Sequence, residues 1–170
     1  MLDLRIDRFA TPIGETIVLV DDKDRLRVLD WSDHEPRMKR LLDRQYGNGK
    51  YRISAARDPG GVSGALRRYF KGDLSAIDGI KVATGGTDFQ RAIWQALRKI
   101  RCGGTVSYAE LARRIGKPRA IRAAGLANGQ NPIGVVVPCH RVIGSNGSLT
   151  GYGGGLHRKE WLLKHEGVLT

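Results

Sequence analysis

The stretch Ser107-Tyr108-Ala109-Glu110-Leu111-Ala112-Arg113-Arg114-Ile115-Gly116-Lys117-Pro118-Arg119-Ala120-Ile121-Arg122-Ala123-Ala124-Gly125-Leu126-Ala127 decides how this chain is read. Ser107 with Glu110 three residues on is a capping box. Leu111 and Ile115 give that helix one apolar face, and Gly116 stops it. Pro118 opens a second helix, predicted over Pro118 to Ala127 after a turn of about three residues. Two short helices, a tight Gly-containing turn and a basic second helix form the pattern of a helix-turn-helix. The second helix is nearly bare: Ala120, Ala123, Ala124, Gly125 and Ala127 surround Arg122. A bare helix can pack closely against a neighbour, or approach a nucleic-acid groove with one long basic side chain, and the residues alone permit both.

Upstream, Thr87-Asp88-Phe89-Gln90 is a further capping box. Phe89, Ile93, Leu97 and Ile100 then mark one face of a helix ending near Ile100. Before it, residues 71–87 are rich in Gly and Asp without periodicity and read as a linker. The first half opens with β-rich runs at Ile6–Phe9, Thr16–Val20 and Leu26–Trp31. The turn clusters Thr11-Pro12-Ile13-Gly14 and Asp21-Asp22-Lys23-Asp24 separate them. A polar helix is predicted over Pro36–Tyr46, ended by Gly47. Another begins where Asp58 caps Pro59 and carries Val62, Leu66, Tyr69 and Phe70 on one face. The expected organisation is α/β (α+β): a small sheet-and-helix lobe over 1–80, and a helical lobe with a helix-turn-helix over 81–170.

The 170 residues carry 29 basic against 17 acidic side chains, a net charge of +12. The excess is uneven: residues 1–87 hold 16 basic and 13 acidic, net +3, and residues 88–170 hold 13 and 4, net +9. Between Arg98 and Arg122 eight basic residues face Glu110 alone, which suits a polyanion as partner. No apolar run approaches the ~20 residues of a membrane helix, and the first twenty residues do not read as a secretory signal. Two cysteines, Cys102 and Cys139, exclude a disulfide scaffold and a four-cysteine zinc site, and suit a reducing cytoplasm. Cys102 reads as a buried or incidental thiol. Asn146-Gly147 reads as a hairpin turn.

Val135-Val136-Val137-Pro138-Cys139-His140-Arg141-Val142-Ile143 reads as an apolar strand run interrupted by polar residues. Pro138 cannot donate to a sheet, so the strand cannot simply continue through it. Two readings of Cys139 stand at this point: a small buried cysteine beside a satisfied histidine, or a thiol whose protonation its neighbours control. A free thiol is only about 3% thiolate at pH 7, so a relay through His140 could raise that roughly thirtyfold at most, worth about 2 kcal/mol. Adjacent strand residues face opposite ways. Cys139 and His140 can therefore communicate only if the chain turns at Pro138 or through a bridging water.

Pro138-Cys139-His140-Arg141-Val142 resembles the active-site motif of the O6-alkylguanine-DNA alkyltransferases, the methylated-DNA–protein-cysteine methyltransferases. Gly86 to Gln90, Val106-Ser107-Tyr108, Arg122 to Gly125, Asn131-Pro132, Gly151-Tyr152, and Lys159 to Leu163 through His165-Glu166-Gly167 follow in that family's order and spacing. The resemblance covers residues 86–167 and is looser before them. It implies single-turnover DNA repair, in which an alkyl group passes from O6-alkylguanine, or O4-alkylthymine, to Cys139 and inactivates the protein. His140, through a water, and Glu166 would generate the thiolate. Asn131 would brace the turn before the cysteine. Tyr108 would lie against the flipped base and supply a proton. Arg122 would fill the gap in the duplex, with Ala120, Ala123, Ala124 and Gly125 against the minor groove. Val142, Tyr152 and Gly153 would line the base pocket. The implied partner is double-stranded DNA carrying O6-alkylguanine, bound by a monomer with scope for cooperativity on DNA. No membrane, cofactor or metal is implied, and the place is the cytoplasm, on the nucleoid when DNA is bound.

The chain departs from the family pattern at three positions. Ile121 stands where alanine is frequent, and Gly134 and Gly153 stand where some members carry proline and serine. The two glycines are expected to loosen the pocket wall. The first lobe has no cysteine, and of histidines only His34, so the zinc site of some members is not expected. Two other readings remain. A cysteine hydrolase using Cys139, His140 and Glu166 would turn over, but adjacent Cys-His is poor geometry for a direct dyad. A DNA-binding module without chemistry would have no use for Cys139.

Overall fold

A computed structural model describes residues 1–170. The chain divides into two compact units, Met1–Gly85 and Gly86–Thr170.

In the first unit, β1 (Leu2–Thr11), β2 (Gly14–Asp21) and β3 (Leu26–Trp31) form an antiparallel meander. After α1 (Glu35–Tyr46), β4 (Tyr51–Ala55) adds in parallel to β1, giving the order β3-β2-β1-β4. Every residue from Thr16 to Asp21 in β2 is buried, as befits an inner strand covered on both faces. Strand alternation sorts the side chains. Leu4, Ile17, Leu19 and Val28 join Met38 and Leu42 of α1 in one core. Asp7 and Phe9 have the opposite parity and reach α2 (Val62–Phe70): Ser63 Oγ donates to Asp7 Oδ2 at 2.7 Å, and the Arg67 guanidinium lies 4.9 Å from the Phe9 ring centroid.

Two expectations are corrected here, and one strand was missed. Pro59 does not open α2; Pro59–Gly61 is a 3₁₀ turn in which Gly60 (φ 61) and Gly61 (φ 72) adopt left-handed conformations, so the α-helix starts at Val62. Asp58 Oδ1 still accepts the Gly64 N–H at 3.0 Å. Residues 71–87 are not a bare linker: Leu74–Ile77 is a 3₁₀ turn packed on α2, and Leu26 exchanges backbone hydrogen bonds with Lys81 and Ala83 at 2.8 and 3.1 Å. Strand β4 was not foreseen: Tyr51, Ile53 and Ala55 alternate with Arg52 and Ser54, but the run is only five residues long and Ile53 is exposed.

The second unit contains α3 (Asp88–Arg98), β5 (Val106–Ser107), α4 (Tyr108–Arg114), α5 (Ile121–Gly129), β6 (Val142–Ile143) and α6 (Leu156–His165). Both halves of the Thr87/Gln90 capping box are present. At Ser107 only one half forms: its Oγ accepts the Glu110 N–H at 3.1 Å, while the Glu110 carboxylate pairs with Arg113 and Arg114. Helix α5 begins at Ile121 rather than Pro118, so the turn of the helix pair is longer than the sequence suggests. Helices α3, α4 and α5 pack together, and Trp94 Nε1 donates to the Ala127 carbonyl at 2.9 Å. Strands β5 and β6 pair in parallel, Val106 with Val142 and Ser107 with Ile143. That short ladder sets the start of α4 beside the segment that follows Cys139. No helix is long and apolar enough to cross a membrane.

Candidate active site

The predicted strand over residues 135–143 is absent except for β6. A γ-turn closes at Val135, with Val136 N–H donating to Gly134 O at 2.7 Å, and a second closes at Pro138, with Cys139 N–H donating to Val137 O at 2.8 Å. Val135 has φ 67, which is strained for a β-branched residue. Cys139–Arg141 then form a 3₁₀ turn. The chain thus does turn at Pro138. Asn131 holds this path from inside: its Oδ1 accepts the Ile133 N–H at 3.0 Å, and its Nδ2 donates to the carbonyls of Val137 (2.8 Å) and Ile133 (3.3 Å). A buried amide has to place its polar atoms, and Asn131 spends them on the two ends of the turn.

Cys139 is 7% exposed. Beside it His140 is fully buried, with Nε2 2.9 Å from Glu166 Oε2. Glu166 also takes two bonds from Arg141, Nε to Oε1 at 2.8 Å and Nη2 to Oε2 at 3.0 Å, while Arg141 Nη1 donates to Ile100 O at 2.6 Å. Burial works to raise the Glu166 carboxyl, but the hydrogen bonds from His140 and Arg141 outweigh it and hold the group well below the usual carboxylate range. Arg141 already balances that charge. Burial then pushes His140 below its ordinary 6.5 despite the attraction of Glu166, leaving the imidazole neutral. A carboxylate only accepts, so Nε2 carries the proton. Nδ1 is left as a basic lone pair, and it makes no hydrogen bond within the protein. The arrangement is a shielded thiol, an adjacent neutral imidazole with its basic nitrogen available, and a carboxylate fixing the tautomer.

Sequence reasoning assigned no role to Arg141 or Lys159, and both matter. Lys159 is fully buried on α6; its Nζ donates to Val142 O and Thr150 O, each at 2.6 Å. Burial brings its pKa down to about 8, partly offset by attraction to Cys139. A positive charge within electrostatic reach favours the thiolate. The signal was present in the sequence: Lys159, Leu162 and Leu163 on α6 and Glu166, its C-cap, follow core spacing, so two charged residues share the apolar face. The Lys159 contact also occupies the Val142 carbonyl, one of the groups expected at the base edge.

Tyr108 is the first residue of α4, and its Oη lies 3.0 Å from Thr150 Oγ1. A Cβ on Gly125 would meet its ring at 3.5 Å, so Gly125 fits between α5 and this ring. Arg122 and Ala123 are exposed on α5, and Ala120 is its half-buried N-cap. Ala124 is corrected: it is completely buried where α5 packs on its neighbours and does not belong to an outward surface. The outward stripe runs through Arg122, Leu126 and Gly129, and Leu126 is 64% exposed, so the helix is less bare than its alanines suggest. Tyr152 and Gly153 are half-buried in the segment before α6. Cys102 is exposed rather than buried. Asn146 and Gly147 do form a turn, in which Gly144 N–H donates to Ser148 O and Ser148 N–H donates to Asn146 Oδ1, but β6 before it has no partner strand after it, so it is not a hairpin. Nowhere do three His, Cys, Asp or Glu side chains converge as metal ligands would.

The profile described as "6-O-methylguanine DNA methyltransferase, DNA binding domain" matches residues 88–168. The methylated-DNA–protein-cysteine methyltransferase of Shigella flexneri is 53% identical over 169 residues, covering 99% of both chains. The crystal structure of the Mycobacterium tuberculosis O6-methylguanine methyltransferase superposes with a TM-score of 0.77 at 37% identity, covering 98% of this chain and 93% of that one. The M. tuberculosis OGT in complex with DNA gives 0.76 at 36% identity, covering 98% and 94%.

Proposed function

This chain belongs to the methylated-DNA–protein-cysteine methyltransferase family, and from that premise we propose that Cys139 is the acceptor in a single-turnover repair of O6-alkylguanine in duplex DNA. The protein is a DNA-binding methyltransferase that repairs DNA by direct alkyl transfer. Its second unit carries the chemistry. The observation that carries the assignment is the Glu166–His140 bond at 2.9 Å, which leaves Nδ1 as the base beside a shielded thiol.

The reaction then proceeds in three moves. Arg122 enters the duplex from α5 as the damaged base leaves the stack, at a cost of a few kcal/mol of unstacking. The Cys139 proton passes through a water to His140 Nδ1, and Glu166 stabilises the imidazolium through Nε2. The thiolate sulfur forms a bond to the alkyl carbon as the bond from that carbon to O6 breaks. The electron pair goes to guanine, and Tyr108 gives the base its proton. Solvent restores the phenol, and His140 returns its proton to solvent. The product thioether has no leaving group to displace, so one protein repairs one lesion. Arg122, Ala123 and Ala120 meet the minor groove, Gly125 lets α5 lie close against Tyr108, and Val142, Tyr152 and Gly153 border the base. The unit acts as a monomer, in the cytoplasm, where a free thiol acceptor survives.

Titrating a duplex carrying one O6-methylguanine with the protein tests this reading. Restored guanine should plateau at one equivalent per protein. Repair that continues past that point supports instead a turning-over cysteine enzyme.

A further inference from the structure

Thr150 lies in the irregular segment between β6 and α6, and its two polar groups point to different parts of the site. Its hydroxyl meets Tyr108 Oη at 3.0 Å. Its carbonyl accepts Lys159 Nζ at 2.6 Å, and the same ammonium holds the Val142 carbonyl, three residues after Cys139. An exposed threonine in a Gly-rich loop has no need of either tie. The buried lysine fixes Thr150 and the cysteine turn to one point, and Thr150 in turn fixes the phenol. On its other side the Tyr108 ring lies against α5 at Gly125.

We propose that Thr150 is a positioning residue for alkyl transfer: its hydroxyl aims the Tyr108 phenol at the departing base and donates a hydrogen bond to Oη as the phenol proton leaves. The inference rests on the reading that Tyr108 protonates guanine. Between two neutral hydroxyls the hydrogen bond can run either way. Once Tyr108 O–H turns to the base, only the direction from Thr150 to Oη remains. As the carbon–O6 bond breaks, the phenol proton goes to guanine and negative charge collects on Oη. A donor held on that atom favours the charged form and makes Tyr108 a stronger acid at the moment it is needed. Solvent then returns a proton to Oη. Thr150 touches neither sulfur nor base.

The test is a set of four variants under single-turnover conditions with an O6-methylguanine duplex. Thr150→Val keeps the shape and removes the hydroxyl. It should slow the saturated rate about three- to tenfold, the range of one neutral hydrogen bond, without changing the DNA concentration that gives half the rate. Thr150→Ser should restore the rate. Tyr108→Phe should be slow, and adding Thr150→Val to it should cost nothing more. A Thr150→Val protein as fast as the parent beside a slow Tyr108→Phe overturns the role of Thr150 alone. A fast Tyr108→Phe overturns the proton role of Tyr108 and this inference with it. A Thr150→Val loss that Ser does not rescue, or that persists in full on Tyr108→Phe, means the loop merely needs threonine for its shape and overturns the proposal too.

Discussion

Asp21 in the first unit and Glu166 in the second are both buried carboxylates held by arginine. Asp21 accepts the N–H groups of Lys23 and Arg25 at 2.9 Å and the Nε atoms of Arg25 and Arg27 at 2.8 Å. Burial tends to raise its pKa, but these four donors lower it on balance. None of the four can give up its proton near neutral pH, so the cluster is an end in itself: it ties the β2–β3 turn. Glu166 has Arg141 in the same part. Its remaining donor is His140, a group that can carry or release a proton at its far nitrogen. On the proposed mechanism, exchanging one permanent donor for an imidazole is what turns a structural clasp into the start of a proton relay.

That contrast is broken most directly by neutralising each acid. Glu166→Gln should lower alkyl transfer by about 100-fold, the lower range for a lost acid–base partner. Asp21→Asn should cost about 3 kcal/mol of stability, measured by urea unfolding, by leaving the largely buried Arg27 without its anion. The transfer rate of its folded fraction should match the parent. Equal effects on rate from both variants would mean that neither carboxylate has a special tie to Cys139.

Two exposed arginines sharpen the contrast between the units. Arg122 stands on α5 and Arg40 on α1. Arg122→Ala should slow repair of a paired lesion about tenfold and leave reaction with free O6-benzylguanine unchanged, because only a duplex requires the base to be flipped. Arg40→Ala should alter neither rate. Loss on the free base would place Arg122 with the thiol rather than with the duplex.

A smaller effect is expected from the glycines at 134 and 153. Gly134→Pro with Gly153→Ser restores side-chain bulk at positions assigned to the pocket wall. The rate ratio of benzyl to methyl adducts in one duplex should fall about fivefold, the low end for overfilling a pocket. An unchanged ratio with a native circular-dichroism spectrum would assign both glycines to the backbone.

The smallest effect is on acid stability. His140 titrates below its ordinary 6.5 in the folded protein. Between that lowered value and 6.5 the unfolded chain binds more protons, so stability is complete above 6.5 and declines as pH falls through the window. Glu166, lowered from 4.5, adds a second loss below 4.5, whereas Asp21 loses its contribution only below its ordinary 3.8. Hydrogen exchange should therefore show the second unit loosening as pH falls below 6.5 and further below 4.5, while the β2–β3 turn stays protected down to 3.8. Simultaneous loosening would remove the distinction between the two clusters.

Much of this was legible in the residues. Capping chemistry is local, so Thr87 with Gln90 located α3, and apolar period located the faces of α2 and α3. The motif around Cys139 pointed to the acceptor. What escaped reading depended on partners far away in the chain. Strand β4 is five residues long, and its alternation of Tyr51, Ile53 and Ala55 becomes a strand only because β1 supplies its hydrogen bonds. The Val135–Cys139 segment is apolar and β-branched, yet Asn131 and Pro138 bend it into turns. The spacing of Lys159 puts it on the apolar face of α6, but its partners, the carbonyls of Val142 and Thr150, are set only by the fold. Ala124 is buried and Leu126 exposed because the packing of α5 on α3 and α4 decides which of its faces turns inward.

The central claim is that one thiol, and no other, takes the alkyl group once. Mass spectrometry of the intact protein after reaction with excess O6-methylguanine duplex, followed by peptide mapping, addresses it. The protein should gain about 14 Da, the mass of one methyl group in place of hydrogen, on the peptide containing Cys139, with Cys102 unmodified although it is the exposed thiol. An unmodified protein beside repaired DNA, or label on Cys102, would contradict the account.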